Sequence, residues 1–541
     1  MSKVAAYLRG HISGEVITRD DVLKAHANDG GVLSIKPEMI IYPRSTNDIR
    51  KAMRFAWQLA EKGHAISVTA RGAGTDTTGG AIGKGMLVAT SAHMHRIYEY
   101  DAKQKLVRLQ PGATVASLRS ALGLSGVSVL SLEGSLGYGT VGGAIASATG
   151  GLYAGKYGTI ARAVHQLEVV LANGDVIQTS RITKRELNRR KGLQGLEGDI
   201  YRGIDGIIEE YADTIDKLGL DDMAGYSTIA DVKRKDGSFD LTPLFIGSQG
   251  TLGIISEMIM RTEFKSVRTS AAVLTFSDSG AARDALDDLA KLNPAVLEYY
   301  DAAIFNTASA SGHVYPFYAE ATEAFEPKAV ILLVVDNFND HQRSKIVKKL
   351  VKQYEKDDTV KITTAEGDEA EDLMAIHAAC HYVQYPDQTA ELSPAIFGGF
   401  HIPADQLETF INDLAKLAEK EHVDLPIAGH AITNVYSIYP TLSLAKVGDK
   451  QRIFKLLDAL SKLVYTHRGT MVAEGGEGRL KARSIYPELD EKVVEMYDAI
   501  RKVCDPLNTL NPGVKQVNDL KTLAKELRNS ADVGHAARLG L

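Results

Sequence analysis

The chain has 541 residues, 44% of them hydrophobic and 24% charged, with a formal net charge of −6. That length predicts two or three domains with a real core, and the lack of a basic excess argues against general affinity for nucleic acid or anionic membrane. Two cysteines, Cys380 and Cys504, exclude a disulfide framework and fit a reducing, cytoplasmic setting; the opening MSKVAAYLRGHISGEV has no apolar stretch long enough for a signal peptide.

PEMIIYPRSTNDIRKAMRFAWQLAEK, residues 37–62, predicts a short strand, a turn and an amphipathic helix. Ile49, Met53, Ala56 and Leu59 recur at helical spacing, and Ser45 or Thr46 stands where a cap is needed. HAISVTARGAGTDTTGG is a buried strand running into a glycine loop. KLVRLQPGATVASLRSAL repeats the idea, with Thr114 capping a helix. HQLEVVLANGDVIQT predicts a hairpin turning at Asn173-Gly174, a pair that favours type I′. PLFIGSQGTLGIISEMIMRT sets a further glycine loop beside a strand. From about residue 266 glycines thin out, and strands such as KAVILLVV alternate with charged helices such as HQRSKIVKKLVKQYEK. This predicts a second α+β unit, an antiparallel sheet covered by helices. DPLNTLNPGVK is a turn after a helix, and residues 516–541 read as a polar helix and tail.

The stretch Gly134–Gly158 holds nine glycines in 25 residues and one charge, Lys156. A membrane span, a flexible linker and a wall against a large ligand all explain such bareness. Glycine costs about 1 kcal/mol per residue inside a helix, which weakens the first reading. Val141, Ile145, Leu152, Tyr153 and Tyr157 weaken the second, because a tether is not apolar. Glycine frees backbone N–H groups to face a pyrophosphate, and several such loops at strand ends favour phosphate binding over plain turns. Neither a GxGxxG dinucleotide fingerprint nor a Walker loop is present, so the nucleotide fold is of another kind.

RGAGTDTTGGAIGKGMLV, LQPGATVASLRSAL, the glycine-rich stretch with LEVVLANGDVIQT, FIGSQGTLGIISE and DPLNTLNPG occur in that order. Together, over about residues 35–515, they resemble the FAD-linked oxidase family typified by D-lactate dehydrogenase and the glycolate oxidase flavin subunit. The resemblance implies an α+β fold: a PCMH, or vanillyl-alcohol-oxidase-type, FAD domain with an inserted substrate domain of antiparallel sheet plus helices. The expected division is 1–265 for FAD, 266–479 for the substrate (cap) domain, and 480–541 for a return to the FAD domain plus tail. It implies that Arg71, Gly72, Ala73, Gly74, Thr75 and Gly79 wrap the FAD pyrophosphate. Thr140, Val141, Gly142 and Gly143 match the second flavin loop, and Thr149, Gly150, Gly151, Tyr157 and Gly158 continue it. Gly247, Gly250 and Thr251 match the loop near the adenine half, with Gln249 where the family usually has Glu. Asn511, Pro512 and Gly513 match the C-terminal return. No histidine or cysteine stands in these loops, so noncovalent FAD is expected.

In hydroxy-acid dehydrogenases of that family, HxGDGNxH supplies two metal-binding histidines, and EHG supplies a metal-binding glutamate and a histidine base. This chain has GHAITNVYSIYP and AEGGEGRLKAR. His430 and Glu474 match the first histidine and the glutamate. Tyr436 replaces the second histidine, and Gly475 the base. Two ligands fall short of the three that a catalytic zinc site needs, so no metal is expected. A carboxylate-binding arginine of the family matches His377, which with His381 has i, i+4 spacing. Glu477 and Arg479 read as a local ion pair.

The candidate catalytic residues are therefore His430, Tyr436 and Glu474. The expected function is hydride transfer from a small alcohol or 2-hydroxy acid to FAD, with an unknown electron acceptor and a possible partner subunit or homo-oligomer. The alternatives are a flavin subunit without independent catalysis, acting as a partner or electron-transfer module, and a protein that keeps the fold without FAD.

Overall fold

The computed structural model describes residues 2–135, 137–219, 222–266, 268–386 and 391–528. The N-terminal half begins with a four-stranded sheet of β1 (Glu15–Ile17), β2 (Met39–Tyr42), β3 (Val68–Arg71) and β4 (Met86–Ala89), in the order β1-β2-β4-β3. β2 and β3 both pair parallel to β4. The crossover between β2 and β3 is helix α1 (Thr46–Glu61), which buries Ile49, Ala52, Met53 and Ala56. Each large apolar side chain so buried contributes roughly 1.5–3 kcal/mol. Ser45 occupies the cap position, but its side chain makes no cap hydrogen bond. Asp48, in the first turn, instead ties the helix start to the chain before it, accepting from the Arg44 N–H at 3.0 Å and from the Ser13 N–H at 2.8 Å.

The second sheet holds β5 (Ile97–Asp101), β6 (Leu106–Leu109), β7 (Val164–Val170), β8 (Val176–Gln178) and β9 (Ile254–Arg261), ordered β5-β6-β9-β7-β8. After β6 the chain turns at Pro111 into α2 (Val115–Gly123), whose cap Thr114 accepts from the Ser117 N–H. The β7–β8 hairpin forms as expected, but its turn is not type I′. That type needs a positive φ at both central residues; Gly174 has φ +85° while Asn173 does not. The loop instead spans residues 171–175, closed by the Leu171 N–H bonding to the Asp175 carbonyl.

The C-terminal half is built on a seven-stranded antiparallel sheet: β10 (Ser270–Phe276), β11 (Val296–Asp301), β12 (Ala329–Val335), β13 (Val360–Glu366), β14 (Gly398–His401), β15 (Ile427–His430) and β16 (Val435–Ile438). Their order is β13-β10-β12-β11-β15-β16-β14. All seven residues of β12 are buried. Ile331 and Leu333 pack on one face with Leu286, Leu350 and Phe410; Val330 and Leu332 pack on the other with Phe305, Tyr318 and Val383. A strand covered by helices on both faces reads as a continuous apolar run, which is what KAVILLVV is.

Helix α3 (Glu491–Cys504) then leads the chain back to the first half. The Asn511 N–H bonds to the Val68 carbonyl at 2.8 Å, and Leu510 bridges Val68 in parallel. The fold is thus α+β, with the return segment laid beside β3. Among the described residues no helix is long and apolar enough to cross a membrane.

Candidate functional site

β3 ends at Arg71, whose guanidinium turns inward to donate to the Ala81 carbonyl at 3.2 Å and the Asn28 carbonyl at 2.9 Å. Burial pushes its pKa down, against the charges of Asp29, Tyr42 and Asp76. Beyond it, the N–H groups of Gly72, Ala73, Gly74 and Thr75 bond to no backbone group of the described residues. The next loop approaches from the other side. Thr140 caps a short helix, Val141–Ala146, by accepting from the Gly143 N–H. A Cβ on Gly72 would overlap Thr140 Oγ1, and one on Gly142 would lie 2.5 Å from Pro111 Cβ and 2.8 Å from its carbonyl oxygen. These loops meet only because they carry no side chains there.

They form one end of a cavity of about 870 Å³. Unspent main-chain donors suit an anion such as a pyrophosphate, and the bare walls suit a flat, extended ligand. The local carboxylate, Asp76, is occupied internally: its Oδ2 accepts from the Thr78 N–H at 3.0 Å and the Gly80 N–H at 2.6 Å. The chain thus fits a dinucleotide such as FAD.

Of the expected cofactor residues, Arg71, Gly72, Ala73, Gly74 and Thr75 line the cavity, as do Thr140, Gly142 and Gly143. Thr149, Gly150, Gly151 and Gly250 also line it. The structure turns the others away. Val141 is wholly buried in the core, and Gly79 packs against Leu33 and Arg479. Tyr157 gives its hydroxyl to Asp336, and Gly158 lies against Arg162. The Gly247 N–H is tied to the Ile145 carbonyl, and Thr251 bonds to Ser248 and Tyr226. Asn511 sits behind the loops; its Nδ2 donates to the Gly80 and Gln249 carbonyls at 2.7 and 2.8 Å. Glu477 and Arg479 are not a pair: Glu477 pairs with Lys515, and Arg479 donates to Ile82, Pro512 and Asn511.

The other end of the cavity is one face of the seven-stranded sheet. Side chains alternate across a strand, so Glu298 and Tyr300 of β11, Ala428 and His430 of β15, and Val435 and Ser437 of β16 share that face. The same alternation corrects the expectation for Tyr436. It lies on the opposite face, 2% exposed, packed with Tyr299 and Phe400, and is not a site residue.

Glu298 is the direct cross-strand partner of His430. Its Oε1 lies 2.6 Å from His430 Nδ1, and Glu474 Oε1 lies 3.9 Å from His430 Nε2. Glu474 is itself held by the Gly150 N–H at 3.0 Å. Burial opposes charge on His430, but the charge and hydrogen bond of Glu298, with the charge of Glu474, prevail and raise its pKa to about 9. His377 ends a 3-10 turn ahead of the helix Ala378–Gln384, with its Nδ1 3.1 Å from Tyr300 Oη. Burial pushes the His377 pKa down. His381 also lines the cavity, and its ring packs on Tyr385.

No group of three His, Cys, Asp or Glu residues among the described residues is arranged to hold a metal ion. His430 Nε2 and Glu474 face the cavity, but Tyr436 is across the sheet and Gly475 has no side chain, so two groups stand where the family's ligand set needs at least three, and that set does not fit. Glu298 and Tyr300 were not picked out from sequence. The signal was the alternation in LEYYD, readable only once β11 is known to neighbour β15.

Residues 37–180 match the family described as "FAD binding domain", and residues 266–514 match "FAD linked oxidases, C-terminal domain". The chain is 26% identical over 499 residues to glycolate oxidase subunit GlcD of Bacillus subtilis, covering 91% of this chain and 90% of that one. It is 25% identical over 523 residues to D-2-hydroxyglutarate dehydrogenase of Pseudomonas putida, covering 93% of this chain but 50% of that protein, so it spans about half the length of that relative. Among solved structures it matches 4-ethylphenol oxidase from Gulosibacter chungangensis at a TM-score of 0.68 and 14% identity, over 96% and 98% of the two chains. It matches alkyldihydroxyacetonephosphate synthase at 0.62 and 14%, over 95% and 84%. Likeness at that identity speaks for the fold.

Proposed function

We propose, for a chain that belongs to the FAD-linked oxidase family and is an FAD-dependent oxidoreductase, that it oxidises a CH–OH carbon of a small molecule with His430 as the base. FAD supplies a two-electron acceptor when bound. The observation that carries this reading is the orientation of His430: Nδ1 is fixed against Glu298, which leaves Nε2 to the cavity and to Glu474. A carboxylate on Nδ1 selects the tautomer whose Nε2 accepts a proton. His430 takes the substrate hydroxyl proton at Nε2; Glu298 and Glu474 then flank the imidazolium and stabilise it.

On this reading the loops at 71–75, 140–143 and 149–151 hold the cofactor by main-chain contact, and Asn511 supports them from behind. The FAD is noncovalent. Cys380 lines the cavity, but burial pushes its thiol up to about 12, so at neutral pH it is no thiolate nucleophile. The division at 265/266 and 479/480 belongs to the same reading: the first two sheets end with β9 at Arg261, and by Arg479, which donates to the Ile82 carbonyl, the chain is already back against the first half.

Anaerobic mixing with a panel of alcohols and 2-hydroxy acids tests the proposal. Wild-type flavin bleaches with at least one of them, and His430→Gln slows that bleaching about 10²–10⁴-fold at unchanged flavin content. A second reading, a flavin subunit that works only within an assembly, draws support from Gly475, which brings no side chain to the cavity. Flavin that no member of the panel bleaches selects that second reading.

A further inference from the structure

Glu298 spends only half of its carboxylate on His430. Oε1 takes the His430 hydrogen bond, whereas Oε2 has no hydrogen-bond partner among the described residues; His377 Nδ1 stands 3.9 Å from it. The residue is 1% exposed and lines the cavity. A buried carboxylate oxygen left bare costs several times what a satisfied one contributes, so such an atom beside a ligand cavity marks where a ligand donates. The charges around it agree. Glu298 and Glu474 face one imidazolium, His430, and among the described residues no Arg or Lys is paired with either. The cavity cations Arg119 and Lys265 are drawn instead toward Glu133, at 3.4 and 3.1 Å; Arg119 Nε and Nη2 have no hydrogen-bond partner among the described residues, but the ion pair they lean on is Glu133 and not Glu298 or Glu474. Arg71 is held by main-chain carbonyls.

Resting on the proposed oxidation at His430, we infer that the group next to the reacting carbon is a hydrogen-bond donor, a hydroxyl or an amine given to Glu298 Oε2, and not a carboxylate. The substrate class is then a vicinal diol or amino alcohol. A 2-hydroxy acid would set its carboxylate against Glu298, with which no arginine is paired among the described residues; His377 stands where the family resemblance expects one and brings no guanidinium fork. In the oxidation the carbinol C–H gives its hydride to FAD, the hydroxyl proton passes to His430 Nε2, and C–O becomes C=O. The adjacent donor stays bound and unchanged.

Three compounds that differ only at that neighbouring group form the test: lactate, propane-1,2-diol and 1-aminopropan-2-ol, each as the racemate. With the holoenzyme under anaerobic conditions, the diol or the amino alcohol reduces the flavin at least tenfold faster than lactate. By calorimetry, hydroxyacetone binds the oxidised holoenzyme at least tenfold more tightly than pyruvate does, a readout independent of turnover. Glu298→Gln narrows both ratios about tenfold, because a carboxamide donates to an anion as well as accepting. Lactate reducing fastest, or pyruvate binding more tightly than hydroxyacetone, overturns the inference and leaves the proposed oxidation standing. Equal ratios in wild type and Glu298→Gln also overturn it. A flavin that none of the three and no other alcohol bleaches overturns the proposed oxidation itself.

Discussion

Glu298 and His430 face each other across the pairing of β11 and β15, with Oε1 and Nδ1 2.6 Å apart. This contact sets the pH at which His430 works. Its pKa is raised from 6.5 to about 9, so at neutral pH the imidazole is largely protonated and cannot accept a proton. The rate of flavin reduction therefore climbs with pH and levels off above about 9. Glu298→Gln removes the charge that holds the proton, and the midpoint of the climb moves down toward the ordinary imidazole range. Stopped-flow rates across pH 6 to 10 read both curves. A matching stability effect has the opposite sense: the raised pKa stabilises the fold fully below about 6.5, and that share is lost as pH rises through about 9.

Two glycines in the proposed cofactor loops fail differently when filled. A Cβ at Gly72 meets the Thr140 side chain, which can turn aside at the cost of its cap bond to the Gly143 N–H, whereas a Cβ at Gly142 meets the ring and carbonyl of Pro111, which cannot move aside. Gly142→Ala is expected to purify with less than half of the wild-type flavin, and Gly72→Ala with most of it. The ratio of visible to ultraviolet absorbance measures this, with far-UV circular dichroism to show that both variants are folded.

These loops were legible from sequence because close approach of backbone needs glycine, and glycine leaves a local mark. The α+β character of the second half was legible too, through the apolar run of β12 between charged helices. What escaped was set by long-range pairing. Tyr436 and Glu298 are told apart by which face of a sheet they occupy, and that depends on β11 lying beside β15, more than 120 residues later in the chain. The turn at Asn173-Gly174 escaped for a related reason: its type depends on a five-residue loop rather than on the dipeptide. Asn511 was expected to reach the cofactor; its contact with the back of the loops, through the Gly80 carbonyl, needed the tertiary fold.

Gln249 shows why a glutamate does not suit this chain. Its Nε2 donates to Thr78 Oγ1 at 3.1 Å and Asp76 Oδ1 at 3.3 Å, while its Oε1 accepts from the Gly478 N–H at 2.9 Å. A carboxylate keeps the last bond, stands acceptor to acceptor against Asp76, and can hold Thr78 only by taking the hydroxyl proton that Thr78 now gives to Asp76. Gln249→Glu is expected to lose about 1–3 kcal/mol at neutral pH. Two neighbouring carboxylates raise a shared pKa, so the variant recovers stability as pH falls and one of them is protonated. Thermal unfolding midpoints at pH 5 and pH 8 test this: the deficit against wild type is smaller at pH 5.

The return segment is fastened by a wholly buried ion pair. Lys515 Nζ lies 2.7 Å from Glu477 Oε2, and both side chains are 0% exposed. Glu477 Oε1 also accepts from the Gly225 N–H at 2.7 Å and the Tyr486 hydroxyl at 3.0 Å. Charges taken so far from water survive only as a pair, so Lys515→Met strands a carboxylate and is expected to cost about 3–5 kcal/mol. Lys515→Met with Glu477→Gln removes the stranded charge while keeping an acceptor for Gly225 and Tyr486, and recovers more than half of the loss. Thermal unfolding midpoints of the two variants decide it. Because Asn511 holds Gly80 and Gln249 from the same segment, the single variant also releases flavin at a lower temperature than wild type, and the double variant restores that temperature in parallel.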